Sequence, residues 1–523
     1  MLLSFLASVM AAAAVEVYNP RIPVIVDREY NVVSEIVIPS ESAKQVSGEV
    51  EVSLDGIPLK AVKDIRLVYI GTISPIMSRT KSNVMKAHYN VLGAGQEDWY
   101  AQRSVSVDCK LKPKSGTTVL RFDRPLVKGD NHFYVSLNIN SSKVNLSDTF
   151  SCKVNSVTLD GKRLLLDEQG PSDGRRYGIA LRNHGDDGVV AYRIPGLAKM
   201  KDGRLMAVYD IRWNTNYDLQ ADIDVGYQTS SDGGKTWSKM KVAMDMGEYG
   251  GLPKDQNGTG DPCILVDTNT GNIFVFAIWA HGLEGSYSIF NSKTGLDPID
   301  VAQLAMVKST DGGKSWSRPV SISPMVKNPE DAVIFQGPGS GITMQDGTLV
   351  VPIQVWDKDK VPSAGIMFSK DGGDTWTVSN MATNHVCEDQ VVEVTPGVLM
   401  LNMRNHGNDD KTRKIFVTSD LGKTWTPHAS NDILIEPVCQ ASILKAGKTL
   451  LFANPASTKS RNMFTVRASD DLGNTWPRSL LLDEEGGWGY SCMAMIDDET
   501  VGILYEGSTS QLVFQAVKVS DIK

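Results

Sequence analysis

Four arginines stand in short apolar or turn-forming contexts far apart along the chain. Arg193 lies in Tyr192-Arg193-Ile194-Pro195, Arg212 ends Tyr209-Asp210-Ile211-Arg212, Arg404 ends Leu399-Met400-Leu401-Asn402-Met403-Arg404, and Arg461 lies in Lys459-Ser460-Arg461-Asn462. Carboxylic acids are spaced among them. Asp218 follows Arg212 by six residues, with Asp222 and Asp224 close by; Glu388 heads Glu388-Asp389-Gln390-Val391; Glu506 ends Leu504-Tyr505-Glu506. Tyr490 precedes Ser491 late in the chain. A guanidinium offers a planar fork of donors that fits a carboxylate. A carboxyl group can move protons, and a phenol becomes a nucleophile when a neighbouring base takes its proton. Singly, each fragment is ordinary, since an arginine before an apolar-proline pair is as a rule a solvated residue. Their meaning depends on a fold that brings them together.

That fold announces itself through an internal repeat. Ser230 to Trp237 reads SSDGGKTW, Ser309 to Trp316 STDGGKSW, Ser369 to Trp376 SKDGGDTW, Thr418 to Trp425 TSDLGKTW and Ser469 to Trp476 SDDLGNTW. The copies begin 49 to 79 residues apart, a spacing that signals a solenoid or propeller. The local chemistry is that of a turn. A short acceptor such as Asp311 caps backbone N–H groups, the glycine two positions later supplies a positive φ, and the tryptophan anchors the hairpin through its apolar area. An antiparallel propeller of four-stranded blades with a ligand site on its axis fits the period.

The first ~180 residues contain no such box. They carry period-two patterning, as in Phe133, Val135, Leu137 and Ile139, and turn signals such as Leu159-Asp160-Gly161. A β-sandwich over residues 15–178 is expected, with a structural or carbohydrate-binding role, followed by the propeller over 179–523. The apolar run over residues 1–14, rich in small residues, has the look of an export signal although it lacks a basic start, so a secreted or periplasmic location is expected. Later apolar stretches are too short for a membrane span. The net charge of -8 argues against nucleic acid as a partner. Six scattered cysteines and seven dispersed histidines give no metal-ligand spacing, and neither metal nor cofactor is expected.

The eight-residue repeats resemble the Asp-boxes of sialidases and other propeller proteins. Arg-Ile-Pro at 193–195, one blade ahead of the first box, resembles the motif that opens the catalytic domain of bacterial exo-α-sialidases. The resemblance covers about residues 180–523 and implies six blades. It assigns Arg193, Arg212 and Arg461 to a triad gripping the substrate carboxylate, with Arg413, Arg467 and Arg478 as competitors for the third place. It assigns the acid to Asp218 ahead of Asp222 and Asp224. Glu388 pairs with Arg404, Tyr490 of the Tyr-Ser motif is the nucleophile, and Glu506 braces Arg193. More loosely, Asp261 approaches the sugar ring, Trp279 lines an N-acetyl pocket, and Gln336-Gly337-Pro338-Gly339 is an architectural loop.

The implied activity is hydrolysis of terminal α-linked sialic acids from sialylated glycans by a monomer, with retention of configuration. Sialic acid carries a carboxylate on its anomeric carbon, so an anionic nucleophile would be repelled where a neutral phenol can approach. A phenol of pKa about 10 needs a base, Glu388. The acid Asp218 is expected to have a raised pKa. A sialoglycan-binding propeller without catalysis would need the arginines but not Asp218, Glu388 and Tyr490. An intramolecular trans-sialidase would share all of them.

Overall fold

The computed structural model describes residues 14–79, 105–219, 221–281, 288–407 and 410–523; the leader expected over 1–14 falls outside these except for its last residue. Its regular structure is almost entirely β. In the first part, one sheet of six strands includes Val32–Ser40, Gly129–Ile139 and Val62–Gly71 as neighbours. A second sheet begins with Thr117–Leu126, Lys44–Asp55 and Thr149–Leu159. Val46, Val50, Val52 and Leu54 alternate with more exposed polar residues along Lys44–Asp55 and join the core between the sheets. Phe133, Val135, Leu137 and Ile139 face that same core. Their strand is buried on its other face too, where Tyr134 packs with Ile22, Val32, Val68 and Ile70. The expected half-buried strand is therefore a central one.

The two parts share a strand. Arg175 and Arg176 of Arg175–Arg182 pair with Phe150 and Thr149 of the sandwich, while Ile179 to Arg182 pair with Phe514, Val513 and Leu512. The second sheet thus runs on into Leu512–Lys518, Thr500–Tyr505 and Ser491–Met495. This strand crosses the boundary read from the sequence at residue 178.

Between these ends the chain forms five further sheets in sequence, each built around four antiparallel strands, one of them joined by a parallel pairing of Gly339–Ser340 with Asn257–Val266. Their first strands, such as Ala191–Lys199, Asn257–Val266, Val386–Thr395 and Ser442–Ala446, touch one another or Ser491–Met495. All five boxes adopt one hydrogen-bonded turn. In the first, Ser230 Oγ donates to Asp232 and accepts from Gly234 N, and Asp232 accepts from the Thr236 amide and hydroxyl at 2.9 and 2.7 Å. The same bonds recur around Asp311, Asp371, Asp420 and Asp471. Each box glycine at the fifth position has φ between +77° and +91°. These turns link the outer strands of each sheet, as in Ile223–Ser230 to Lys241–Met244. Five of the six cysteines are buried and all are free thiols; Cys109 is exposed.

Candidate active site

The inner strands do not run straight at one particular level. Ladder register slips between Arg193 and Gly196, between Gly260 and Cys263, and between Cys387 and Asp389. Within these bulges Ile194, Asp261 and Glu388 have φ of +56°, +57° and +34°. Val438 and Gly489, at the entry to the next inner strands, are also left-handed, at +60° and +85°. A β-branched residue with positive φ is a strained outlier, and such strain gathers where surrounding structure enforces it for function. Here the bulges turn residues of several inner strands toward one cavity of about 270 Å³. Arg193, Arg212, Asp218, Asp261, Glu388, Arg404, Arg461 and Tyr490 all line it.

At its floor the Tyr490 hydroxyl donates to a Glu388 carboxylate oxygen, and the other Glu388 oxygen is bonded to Arg404. Arg404 Nη1 also lies 3.0 Å from the Tyr490 hydroxyl. The centres of the Arg193 and Arg461 guanidiniums lie 5.3 and 5.5 Å from the Tyr490 ring. Burial raises the Tyr490 pKa and the charge of Glu388 raises it further, against Arg404 and Arg461, so the resting phenol is neutral. Burial alone would raise the Glu388 pKa, but Arg404 and the phenol hydrogen bond hold it below the usual carboxylate range. A neutral phenol thus donates to an ionised base. That is the geometry for proton removal during nucleophilic attack.

The arginines differ in how they are neutralised. Arg193 Nε and Nη2 donate to the two oxygens of Glu506 at 2.8 and 3.3 Å. Arg212 donates to Asp210 through Nε and Nη2 at 3.0 and 2.8 Å, with its remaining Nη1 on Asp218 at 2.8 Å. Arg461 donates to the carbonyls of Trp488 and Val438 and forms no ion pair with any described residue. It is the guanidinium with most charge left for a bound anion. Arg193, Arg404 and Arg461 surround Tyr490, whereas Arg212 is committed to the two aspartates.

A chain with this site and a preceding sandwich domain is similar to known proteins over nearly its whole length. Residues 12–163 match the family described as the N-terminal domain of BNR-repeat neuraminidase, and residues 194–436 match the BNR repeat-like domain. A sialidase of Bacteroides fragilis is 43% identical over 529 residues, covering 98% of this chain and 96% of that protein. The chain belongs to the sialidase family. Among solved structures, the Hadza microbial sialidase Hz136 is 41% identical with a TM-score of 0.90, over 97% of this chain and all of the other. A sialidase of Micromonospora viridifaciens is 32% identical over 63% of this chain and 52% of its own length.

Within this sialidase the sequence-derived residues divide clearly. Asp222 and Asp224, the rivals of Asp218, are taken up by Lys254 at 3.7 and 3.0 Å. Arg413 is fully buried against Glu436 and Asn402, Arg467 donates to Asn454, and Arg478 pairs with Asp470, so these three serve the scaffold. Asp261 does reach the cavity. Burial, compounded by Asp210, Asp218 and Glu388, raises its pKa well above the usual carboxylate range. Gln336 donates to the Asp261 carbonyl, and the Pro338 carbonyl accepts from Gln390 and Gln440, which makes this loop a hub behind the site.

Two expectations are corrected. Trp279 is not among the residues lining the cavity. It is 2% exposed and meets Tyr249 edge-on at 4.7 Å. Asp218 has a lowered pKa and not a raised one, because Arg212 and Arg193 outweigh its partial burial. Sequence reasoning also missed Trp488, whose ring lies 4.4 Å from the Arg193 guanidinium at the cavity wall. Its position two residues before Tyr490 was the available signal.

Proposed function

We propose that this sialidase is an exo-α-sialidase that hydrolyses terminal α-linked sialic acids of glycoproteins, glycolipids and oligosaccharides through a tyrosyl-enzyme intermediate, with retention. The supporting observation is the contact of Tyr490 with Glu388 and Arg404 in a cavity that holds three further arginines. We read the last sheets as a six-bladed propeller over residues 179–523, following the sandwich over 15–178. The apolar first segment is the support for a secreted or periplasmic location.

In the first step the phenol oxygen of Tyr490 bonds to the anomeric carbon while its proton passes to Glu388. The glycosidic bond breaks, and the departing oxygen takes a proton from Asp218. In the second step water attacks the same carbon, giving its proton to Asp218, and the phenolate regains its proton from Glu388. Two displacements at one carbon retain configuration. Arg193, Arg461 and, in place of the Arg212 expected from the resemblance, Arg404 bind the substrate carboxylate by charge-assisted hydrogen bonds, since Arg212 is already committed to Asp210 and Asp218.

In this geometry the guanidiniums of Arg212 and Arg193 hold Asp218 below the usual carboxylate range. A bound carboxylate would take up the field of Arg193 and place a negative charge near Asp218. Both changes favour the protonated form, so binding itself converts Asp218 into an acid. Following 3′-sialyllactose by proton NMR tests the reading. The α-anomer of free sialic acid is expected as the first product. The β-anomer would overturn retention, and an anhydro sugar would mean intramolecular transfer.

A further inference from the structure

The segment carrying the proposed nucleophile is held partly from outside its own domain. Between the strand Arg478–Asp483 and the strand Ser491–Met495 the chain reads Glu484-Glu485-Gly486-Gly487-Trp488-Gly489-Tyr490. Three glycines in seven residues give this loop wide conformational freedom, which must be removed if Tyr490 is to meet Glu388. Its C-terminal half is fixed by the propeller. The amides of Gly489 and Tyr490 donate to the Glu506 carbonyl and carboxylate, and Arg461 donates to the Trp488 carbonyl at 3.1 Å.

The N-terminal half is fixed largely by the sandwich. The Tyr18 hydroxyl donates to Glu484 at 2.5 Å, and the Glu484 amide donates to the Arg21 carbonyl at 2.8 Å. Ser78 gives two bonds to Glu485, one from its amide to Oε2 at 3.0 Å and one from its hydroxyl to Oε1. Glu485 is 4% exposed, so these donors occupy both oxygens of a carboxylate taken out of water. The donors are themselves anchored. Arg79 lies 4.3 Å from the centre of the Tyr18 ring and pairs with Glu16 and Glu35 at 2.6 and 3.0 Å. On the far side, the Glu484 carbonyl accepts from Met463 N, two residues beyond Arg461.

We propose that Tyr18 and Ser78 are positioning residues for catalysis: by clamping Glu484 and Glu485 they set Trp488 and Tyr490 against Arg193 and Glu388. The sandwich is then a working part of the active site. The proposal rests on Tyr490 being the nucleophile. It also explains why the two parts are joined by a continuous sheet, since a clamp across a loose joint would not hold register.

The test is made on the full chain, with an aryl α-sialoside whose leaving group needs no protonation. Ser78→Ala and the double variant Tyr18→Phe/Ser78→Ala are compared with Ser78→Thr, which restores the hydroxyl. Lys518→Ala, which removes an exposed ion pair to Asp148 elsewhere between the two parts, is the control. A misplaced reacting group loses rate more than affinity, so kcat should fall about ten- to a hundredfold with KM little changed. Ser78→Thr should recover most of kcat, and Lys518→Ala should match the parent. A double variant with kcat within about twofold of the parent would overturn the clamp, as would an equal loss in Lys518→Ala. Tyr490→Phe separates the two readings. If it is inactive while the clamp variants keep full rate, only the clamp is wrong; if it is fully active, the nucleophile assignment fails first.

Discussion

Glu506 ties the Arg193 side chain to the backbone of Tyr490. One oxygen accepts from Arg193 Nε at 2.8 Å and Ile194 N at 2.9 Å, and the other accepts from Tyr490 N at 3.0 Å. The first and last sheets around the cavity are thereby joined through one carboxylate that is 2% exposed. Removing one partner of a buried pair leaves the other charge uncompensated. Glu506→Ala should cost about 3–5 kcal/mol in equilibrium unfolding. It should also depress kcat/KM strongly, because Arg193 and Tyr490 lose their common reference. A variant of parental stability would show that water replaces the carboxylate.

Tyr490 and Glu388 should behave as one unit. Because the base has no task without the phenol, Glu388→Gln/Tyr490→Phe should be no slower than the slower single variant. Additive losses measured in kcat would separate their roles.

Asp218→Asn should be diagnostic through the leaving group. Loss of general acid catalysis costs about 10²–10⁴ in rate where the departing oxygen needs a proton. The loss should be far smaller for a nitrophenyl sialoside than for 3′-sialyllactose. Equal losses on both would point to a binding role.

Arg461 and Arg212 line the same cavity but should fail differently. Arg461→Ala should mainly raise KM, since a charge-assisted hydrogen bond is worth about 1.5–3 kcal/mol. Arg212→Ala would leave Asp210, 1% exposed, without its partner and should lower stability as well as activity. Paired kinetics and denaturant titrations distinguish the two.

Asp483 gives a pH signature. Burial pushes its pKa up to about 7, against the donors of Ser508. In the unfolded chain an aspartate titrates near 3.9. The folded state therefore disfavours the ionised form. The protonated group's contribution is complete below about pH 4 and is lost as pH rises through about 7. Asp483→Asn should flatten this part of the thermal stability profile, raising Tm relative to the parent at pH 8 more than at pH 5. A parallel pair of profiles would assign the carboxyl an ordinary pKa.

Much of the architecture was legible because the boxes encode it locally. Asp232, Gly234 and Thr236 form their turn from bonds within seven residues, so sequence alone suffices. The arginines and acids were legible through the order of their motifs. What stayed hidden depends on long-range geometry. Trp279 lies in Ile273–His281, every residue of which is buried, so alternation carries no information about which face a side chain takes. The ion pair that lowers Asp218 depends on the orientation of Arg212 across a loop. The left-handed Ile194 and Val438 contradict the local preference of β-branched residues, and only the packed ring enforces them. The grip of Ser78 on Glu485 spans 407 positions and has no local trace.

The strand Arg175–Arg182 also governs the order in which the molecule can be completed. Its partner Leu512–Lys518 leaves the ribosome more than three hundred residues later, so the ring stays open until that strand has been made. The sandwich, already made, can present a preformed edge onto which the hairpin of Thr500–Tyr505 and Leu512–Lys518 docks. Clipping the chain ahead of Leu512 would strand that edge unpaired, an invitation to self-association.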